Sequence, residues 1–298
     1  MFSPAKLNLG LSVVGRRADG YHLLESLFWP VNWGDEITFD YKPDAPGKSS
    51  FHIKYEWDIS APFLEPALFQ EDSTLISQVL RSLELPTDLA GLDIRVKKKI
   101  PIGSGLGGIS SNVGTVLRFL VEKGALPQKQ ACISALKSGA DIPFFLDPRP
   151  SWISGIGEEI YPLDLSPEIK KRLCFILFCF SFSIPTPFLF AEFRTVFPQL
   201  ETASHSRSLT GYVSTDSFLE FLSSTQNDLE FLAVRHFPVI GTLLELLRKS
   251  GVLYAGLSGT GPTCFAVFDD YEKRDKIAKD LVKKIRDLPC RSVLADSY

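Results

Sequence analysis

The chain has 298 residues, enough for about two domains that each bury a sizeable hydrophobic core. Hydrophobic residues make up 45% of it and charged residues 22%, which is typical of globular proteins and excludes fibrous and low-complexity classes. The formal net charge of -3 argues against nucleic acid as the main partner, because domains that bind nucleic acid are usually basic.

The cysteines and the N-terminal residues favour a cytoplasmic location. The five cysteines are odd in number and form no Cys-x-x-Cys pair, so reduced and mostly buried thiols are expected. Lys6 and Asn8 interrupt the apolar start of the chain, which argues against a secretory signal. Residues 173–191 carry no charge, but Pro185 and Pro187 interrupt them. A buried strand followed by a proline-rich turn is therefore favoured over a membrane span.

The first elements along the chain are predicted to be strands. Residues 7–14 alternate between apolar and polar side chains, which predicts a half-buried strand with Lys6 and Asn8 on its polar face. Similar alternation at 37–41 and 51–57, with prolines and a glycine between, predicts a hairpin with a loose loop. A further strand at 92–96 leads into three consecutive lysines.

Two helices are predicted after these strands. A glycine-rich turn at 101–112 precedes apolar residues at helical spacing, and this helix is expected to end at Gly124 and Pro127. A second helix at about 129–138 stops at Gly139 and is followed by Asp141. The hydrophobic pattern is interrupted by prolines up to Pro150, which predicts a domain boundary there and domains at 1–150 and 151–298.

The second half mixes strands and helices without a regular βαβ rhythm. Its predicted elements are a buried strand near Leu173, helical segments at about 218–249, strands at 252–255 and 264–268, and a terminal helix at about 272–285. A second glycine loop lies between the last two strands. The α+β class is therefore expected.

The turn at 101–112 has the composition of an anion-binding loop. Four of the six residues from Gly103 to Gly108 are glycines, which let the backbone approach a ligand, and the following helix offers amide groups and the positive end of its dipole. Ser110 and Ser111 are candidate hydroxyl donors to a phosphate, and Lys98 or Lys99 is a candidate source of positive charge. The alternative is a tight turn in which a serine only caps the helix.

The known phosphate-binding motifs do not describe this loop. Gly103, Gly105 and Gly108 match the spacing of the dinucleotide fingerprint, but the acidic residue expected about 20 residues later at the end of a second strand is missing. The P-loop motif does not occur in the chain. A nicotinamide-dependent oxidoreductase therefore remains the less favoured alternative.

Two further stretches are candidate parts of a site. The glycine loop at 256–263 is consistent either with closure over phosphates or with an ordinary hairpin turn. The stretch Pro-Ala-Lys-Leu-Asn-Leu at 4–9 is followed at 15–22 by Gly-Arg-Arg-Ala-Asp-Gly-Tyr-His. These residue types form a site only if the fold brings them together.

These elements, in this order and together with Gly-Ala-Asp-Ile-Pro-Phe-Phe at 139–145, resemble the GHMP kinases. These are the small-molecule kinases named after galactokinase, homoserine kinase, mevalonate kinase and phosphomevalonate kinase. Within them, the opening stretch is similar to the kinases of 4-diphosphocytidyl-2-C-methylerythritol, in the non-mevalonate route to isoprenoids. The resemblance also includes Ser-Ile-Pro-Thr-Pro at 183–187, Asn-Asp-Leu-Glu at 227–230 and residues 256–268, so that it covers most of the chain.

The resemblance implies a two-domain fold, an active site in the cleft between the domains, and roles for individual residues. Lys6 and Asp141 would flank the substrate hydroxyl, with Asp141 as the base and Lys6 stabilising negative charge. Tyr21 and His22 would hold the cytosine, and Asn8 and Thr186 would touch the substrate. The residues implied to bind ATP are Lys98, Pro101, Ile102, Gly103, Ser104, Gly105, Leu106, Gly107, Gly108, Ile109, Ser110 and Ser111.

The resemblance further implies that the partners are ATP, with magnesium, and a cytidylyl-linked sugar alcohol. No acidic cluster in the sequence identifies a metal ligand, and neither nucleic acid nor a membrane is expected as a partner. A sister kinase that acts on mevalonate or homoserine would share both glycine loops. A non-catalytic metabolite sensor would usually lack the lysine or the aspartate, and both are present.

Overall fold

The computed structural model describes residues 1–41, 51–58, 74–83, 91–198 and 212–298. They form two compact units. The first comprises Met1–Ala5, Gly34–Ile102 and Gly107–Pro148, and the second comprises Lys6–Trp33, Gly103–Leu106 and Arg149–Tyr298. The predicted split at residue 150 differs from this division at Lys6–Trp33 and Gly103–Leu106. These stretches bond to residues late in the chain, as when Leu11 donates its amide to Gln226 and Ser104 accepts from Thr263.

The sheet of the first unit is centred on the strand that follows Gly91. Strand β4 (Leu92–Lys98) runs antiparallel to the end of β2 (His22–Tyr41) and parallel to β3 (Phe51–Trp57). The predicted hairpin between β2 and β3 is therefore wrong, because β4 lies between them. Ile94 of β4 is fully buried, whereas alternate side chains of β3 are exposed, as suits an edge strand.

In the residues that the structure describes, three helices complete the core of the first unit. They are α1 (Leu75–Ser82), α2 (Gly108–Glu122) and α3 (Gln128–Ser138), followed by a short 3-10 turn at Pro143–Leu146. The two helices predicted after the glycine-rich turn are thus confirmed as α2 and α3. Helix α2 buries Val113, Val116, Leu117 and Leu120 at the predicted spacing and ends before Gly124, whose φ of 70° suits a helix terminus.

Strand β1 (Phe2–Arg16) is longer than predicted and is buried on both faces. Lys6 and Asn8 are only 4% and 2% exposed, so the expectation of a half-buried strand with a polar outer face is wrong. These two side chains are buried because hydroxyl groups and an aromatic ring of the second unit cover the face of β1 that carries them.

The second unit is built on a four-stranded antiparallel sheet. Its strands are β8 (Cys174–Phe180), β10 (Tyr254–Leu257), β11 (Cys264–Phe268) and β12 (Cys290–Asp296), and they lie in the order β10–β11–β8–β12. All seven side chains of β8 are buried, which confirms the predicted buried strand. The prolines after it do not form only a turn, because α5 (Thr186–Val196) begins there with a proline in its first turn.

Further helices of the second unit lie in its described residues. The region predicted as helical at 218–249 forms α6 (Thr215–Ser224), α7 (Glu230–His236) and α8 (Pro238–Arg248), and Pro238 begins the last of them. The terminal helix predicted at about 272–285 is α9 (Tyr271–Lys284). Helix α4 (Pro167–Arg172) is short and precedes β8. The mixture of sheets and helices confirms the α+β class.

Four short strands belong to the same unit. Strand β5 (Ser151–Ser154) pairs with the beginning of β2 and with β6 (Glu159–Pro162), and β7 (Asp164–Leu165) pairs with β9 (Tyr212–Val213). No helix in the described part of the chain is long and apolar enough to span a bilayer.

Candidate active site

The N-terminus of α2 presents backbone amides without a capping side chain. Its N-cap is Gly107, with φ 70° and ψ 21°, and this residue has no side chain that could cap the first turn. The amides of Gly108, Ile109 and Ser110 belong to that turn, where N–H groups have no acceptor within the helix. Together with the positive end of the helix dipole, these amides can donate hydrogen bonds to an anion.

Three successive carbonyl groups of the loop before α2 accept hydrogen bonds from distant parts of the chain. The carbonyl oxygen of Leu106 accepts from the amide of Lys6 at 3.0 Å, and that of Gly105 accepts from the Ser258 hydroxyl at 2.9 Å. The Ser104 carbonyl accepts from the amide of Thr263 at 3.2 Å. In a trans peptide the N–H points opposite to the C=O, so the next three amides point away from these partners.

Glycine is required at Gly103 and Gly105. Both have positive φ values, 62° and 80°. A Cβ at Gly105 would lie 2.1 Å from the carbonyl oxygen of Ser258, and one at Gly103 would lie 2.8 Å from the Cβ of Ser183. The glycines therefore allow both the backbone conformation and the close approach of the two loops.

Lys6 and Asn8 form one buried polar pair on β1. The ammonium group of Lys6 donates to Oδ1 of Asn8 at 2.5 Å and lies 4.5 Å from the ring centroid of Phe28. The amide nitrogen of the Asn8 side chain donates to the Ser26 hydroxyl at 2.9 Å. The positive charge of Lys6 is thereby held in one position, which suits a group that stabilises charge on a substrate.

The second glycine loop closes against this pair. The backbone amide of Asn8 donates to the Ser258 hydroxyl at 3.3 Å. A Cβ at Gly259 would lie 3.2 Å from Oδ1 of Asn8 and 3.7 Å from Nζ of Lys6. Thr260 shares a hydrogen bond with Thr186 at 3.2 Å. The loop is thus a contact surface for β1 and for the first glycine loop, and not only a hairpin turn.

Two residues predicted to bind ATP direct their side chains into the core of the first unit. The ammonium of Lys98 is 1% exposed and donates to Asp35 and, at 3.1 Å, to Asn112. The hydroxyl of Ser111 is buried and shares a hydrogen bond with that of Ser3 at 2.8 Å. These contacts favour structural roles for both side chains over direct contact with a nucleotide.

Asp141 lies between α3 and the 3-10 turn and is partly buried. The turn is fixed on α2, because a Cβ at Gly114 would lie 2.5 Å from the Cβ of Phe145 and 3.0 Å from its backbone. The amide of Ile142 donates to the carbonyl of Gly139 at 3.2 Å. Asp141 therefore lies just before a turn that packs closely against α2.

His22 and Tyr21 follow a turn at the start of β2. The ring of His22 stacks on that of Phe190 with centroids 5.2 Å apart and an interplanar angle of 22°. Burial lowers the pKa of His22, and the charges of Arg16 and Arg194 lower it further. Tyr21 is 62% exposed, which leaves an aromatic face open for a planar ligand.

Sequence reasoning missed several residues that hold these groups in place. Ser26 bonds to Asn8, and Asn227 donates through its side-chain amide to the carbonyl oxygens of Leu257 and Gly259, both at 2.8 Å. Single polar residues carry no local signal that distinguishes them from surface residues. Asn227 stood in a stretch already noted, the Asn-Asp-Leu-Glu at 227–230, but no role was assigned to its side chain.

Comparison with known proteins decides the family. Residues 74–147 match the GHMP kinases N terminal domain and residues 214–287 match GHMP kinases C terminal. A 4-diphosphocytidyl-2-C-methyl-D-erythritol kinase of Methylobacterium radiotolerans is 37% identical over 275 residues, covering 90% of this chain and 89% of the relative. The chain belongs to this family of GHMP kinases.

Solved structures agree with the family in their fold. A crystal structure of 4-(cytidine 5'-diphospho)-2C-methyl-D-erythritol kinase matches with a TM-score of 0.72 and 27% identity, covering 99% of this chain and 97% of that one. A homoserine kinase from Cytophaga hutchinsonii shares the fold with a TM-score of 0.66, 17% identity and coverage of 99% and 93%.

The two GHMP kinase regions contain much of the geometry described above. The N-terminal region includes the first glycine loop and Asp141, and the C-terminal region includes Asn227 and the second glycine loop. Lys6 and His22 lie outside both. As a member of this family the chain is a kinase, and the oxidoreductase alternative is not favoured.

Proposed function

We propose that this protein transfers the γ-phosphoryl group of ATP to the 2-hydroxyl of 4-diphosphocytidyl-2-C-methyl-D-erythritol, a step in non-mevalonate isoprenoid synthesis. The family and the activity named for its relatives support the reaction. The proposal rests mainly on the carbonyls of residues 104–106, which all accept hydrogen bonds from other parts of the chain. The amides of residues 105–107 therefore point away from these partners and can bind phosphate.

The triphosphate is proposed to bind along the backbone of residues 101–111. Amides bind phosphate oxygens without a change of protonation, and glycines let the backbone approach closely. In the described residues no group of three or more His, Cys, Asp or Glu side chains is placed to hold a metal ion. Magnesium would then take most of its ligands from the phosphates and water, as it commonly does with ATP.

Lys6 and Asp141 are proposed to act on the acceptor hydroxyl. Asp141 accepts the hydroxyl proton while the oxygen attacks the γ-phosphorus, the bond to the β-phosphate oxygen breaks, and ADP leaves. Lys6 stabilises the negative charge on the transferring group. Because Asn8 and Phe28 fix the ammonium of Lys6, little reorganisation is needed when the charge develops.

The remaining side chains are proposed to select the acceptor. A cytosine ring is planar, and Tyr21 and the stacked rings of His22 and Phe190 offer aromatic surface to it. A neutral His22 provides one donor and one acceptor for the base edge. Thr186, held by Thr260, is proposed to touch the substrate together with Asn8. A cytoplasmic location stays a prediction.

A coupled assay of ADP release tests the proposal. ATP, magnesium and 4-diphosphocytidyl-2-C-methyl-D-erythritol should give ADP, whereas mevalonate, homoserine and a reaction without acceptor should not. ADP formation with mevalonate or homoserine instead would favour a sister kinase with the same loops. ADP formation without acceptor would show only ATP hydrolysis and would contradict the proposed acceptor site.

A further inference from the structure

A fully buried carboxylate of the first unit bonds to residues that flank the first glycine loop. Asp35, at 0% exposure, accepts hydrogen bonds from four donors. Its partner Lys98 is 1% exposed. Burying a charged pair is costly unless both members are hydrogen-bonded, and the Lys98 ammonium donates to both Asp35 and Asn112. Nothing in the proposed phosphoryl transfer uses either charge directly.

The two oxygens of Asp35 bind opposite ends of the glycine loop. Oδ1 accepts from the amides of Lys99 at 2.7 Å and Ile100 at 2.9 Å, the two residues before the loop. Oδ2 accepts from the side-chain amide of Asn112 at 2.8 Å, in the second turn of α2 after the loop, and from the Lys98 ammonium. One carboxylate thus joins the entrance of the loop to the helix that follows it.

Further contacts extend this connection to the first turn of α2. The Asn112 side-chain amide also donates to the Ser3 hydroxyl at 2.9 Å, and Ser3 shares a hydrogen bond with Ser111. A Cβ at Gly108 would lie 2.8 Å from a methyl group of Ile100. The first residue of α2 therefore rests directly on the segment whose amide Asp35 holds.

We propose that Asp35 is a positioning residue for nucleotide binding, which it promotes by fixing both ends of the glycine loop. The inference rests on the proposed function, since it assumes that the loop binds the phosphates of ATP. Amides bind an anion strongly only when they are held in the required geometry before it arrives. Loss of the connection through Asp35 would let the first turn of α2 move relative to the entrance of the loop.

The variant Asp35→Asn breaks one half of the connection. The amide oxygen of asparagine still accepts from Lys99 and Ile100, but its NH₂ group faces Lys98 and Asn112, which are themselves donors. The double variant Asp35→Asn with Lys98→Met also removes the lysine charge that would be left buried and unpaired, and it tests the same connection if the single variant does not fold. Glu36→Gln is the matched control, because Glu36 is the next residue and its ion pair with Lys99 is exposed.

Isothermal titration of the folded variants with ATP, and separately with the cytidylyl acceptor, gives the test. Asp35→Asn, or the double variant, should raise the Kd for ATP by about 10- to 100-fold, from the loss of hydrogen bonds to a charged group. The Kd for the acceptor should not change, and Glu36→Gln should change neither value. A residue needed only for stability would lower the melting temperature and the binding stoichiometry but leave both Kd values unchanged.

The outcomes separate this inference from the proposed function. An unchanged Kd for ATP in a folded Asp35 variant would overturn the positioning role alone, because the wild-type protein would still bind ATP and phosphorylate its acceptor. Failure of the wild-type protein to bind ATP would overturn the proposed function and the positioning role together. An equal rise in both Kd values would show a general disturbance and would also overturn the positioning role.

Discussion

Gly105 provides a quantitative test of the contact between the two glycine loops. Replacing it by alanine places a Cβ at a φ of 80°, which costs about 1–2 kcal/mol for an L-residue. That Cβ would lie 2.1 Å from the carbonyl oxygen of Ser258, where ordinary contact begins at 3.4 Å, so one loop must move by about 1.3 Å. A displacement of about 1 Å at a catalytic site costs roughly 10²-fold in rate.

Gly124→Ala is the control that separates backbone strain from loop displacement. Gly124 has a φ of 70°, and a Cβ there would meet no atom within 4 Å. Both variants should therefore lose about 1–2 kcal/mol of stability in urea unfolding from strain alone, whereas only Gly105→Ala should lose kcat/KM for ATP by roughly 10²-fold in the ADP-release assay. Equal kcat/KM values for the two variants would refute the argument that the second loop sets the position of the first.

Further substitutions test the proposed roles of single residues. Lys6→Met should lower kcat by roughly 10²–10³-fold and Asp141→Asn by roughly 10²–10⁴-fold; a folded variant of either residue with wild-type kcat would contradict its role. His22→Ala should raise the KM for the cytidylyl acceptor and leave that for ATP unchanged, and an effect confined to ATP would assign His22 to the nucleotide instead. Burial raises the pKa of Asp228 above its ordinary value of 3.8. The ionised carboxylate therefore lowers the stability of the fold at neutral pH, and this loss of stability disappears as the pH falls through the raised pKa toward 3.8. Asp228→Asn, which keeps an acceptor for the amide of Val13, should therefore have the higher Tm at neutral pH and lose that advantage on acidification; a lower Tm at neutral pH would contradict this reading.

Local patterns in the sequence predicted the elements that depend on local physics. The spacing of Val113, Val116 and Leu120 indicated α2 because a helix buries one face at a period of 3.6 residues. Glycines at 103, 105 and 107 indicated a loop with positive φ values, and all three have them. Such features depend on neighbours within a few residues, which one sequence supplies.

Features set by distant residues could not be predicted in this way. Lys98 was predicted to bind phosphate because it lies beside the glycine loop. Its ion-pair partner, Asp35, is 63 residues away in the sequence, so this pairing could not be predicted from neighbouring residues. Alternation in β1 suggested an exposed polar face, yet Ser26 and Ser258 cover it from positions 18 and 250 residues after Asn8. The pairing of β3 with β4 and not with β2 was missed for the same reason, because hydrophobic alternation identifies a strand but not its neighbour.

Analysis of the reaction product by ³¹P nuclear magnetic resonance tests the central claim most directly. Incubation of the protein with ATP, magnesium and 4-diphosphocytidyl-2-C-methyl-D-erythritol should add one phosphomonoester signal to the acceptor and leave its diphosphate signals in place, with an equal amount of ADP formed. Inorganic phosphate in place of the phosphomonoester, or loss of the diphosphate signals of the acceptor, would contradict phosphoryl transfer to the 2-hydroxyl.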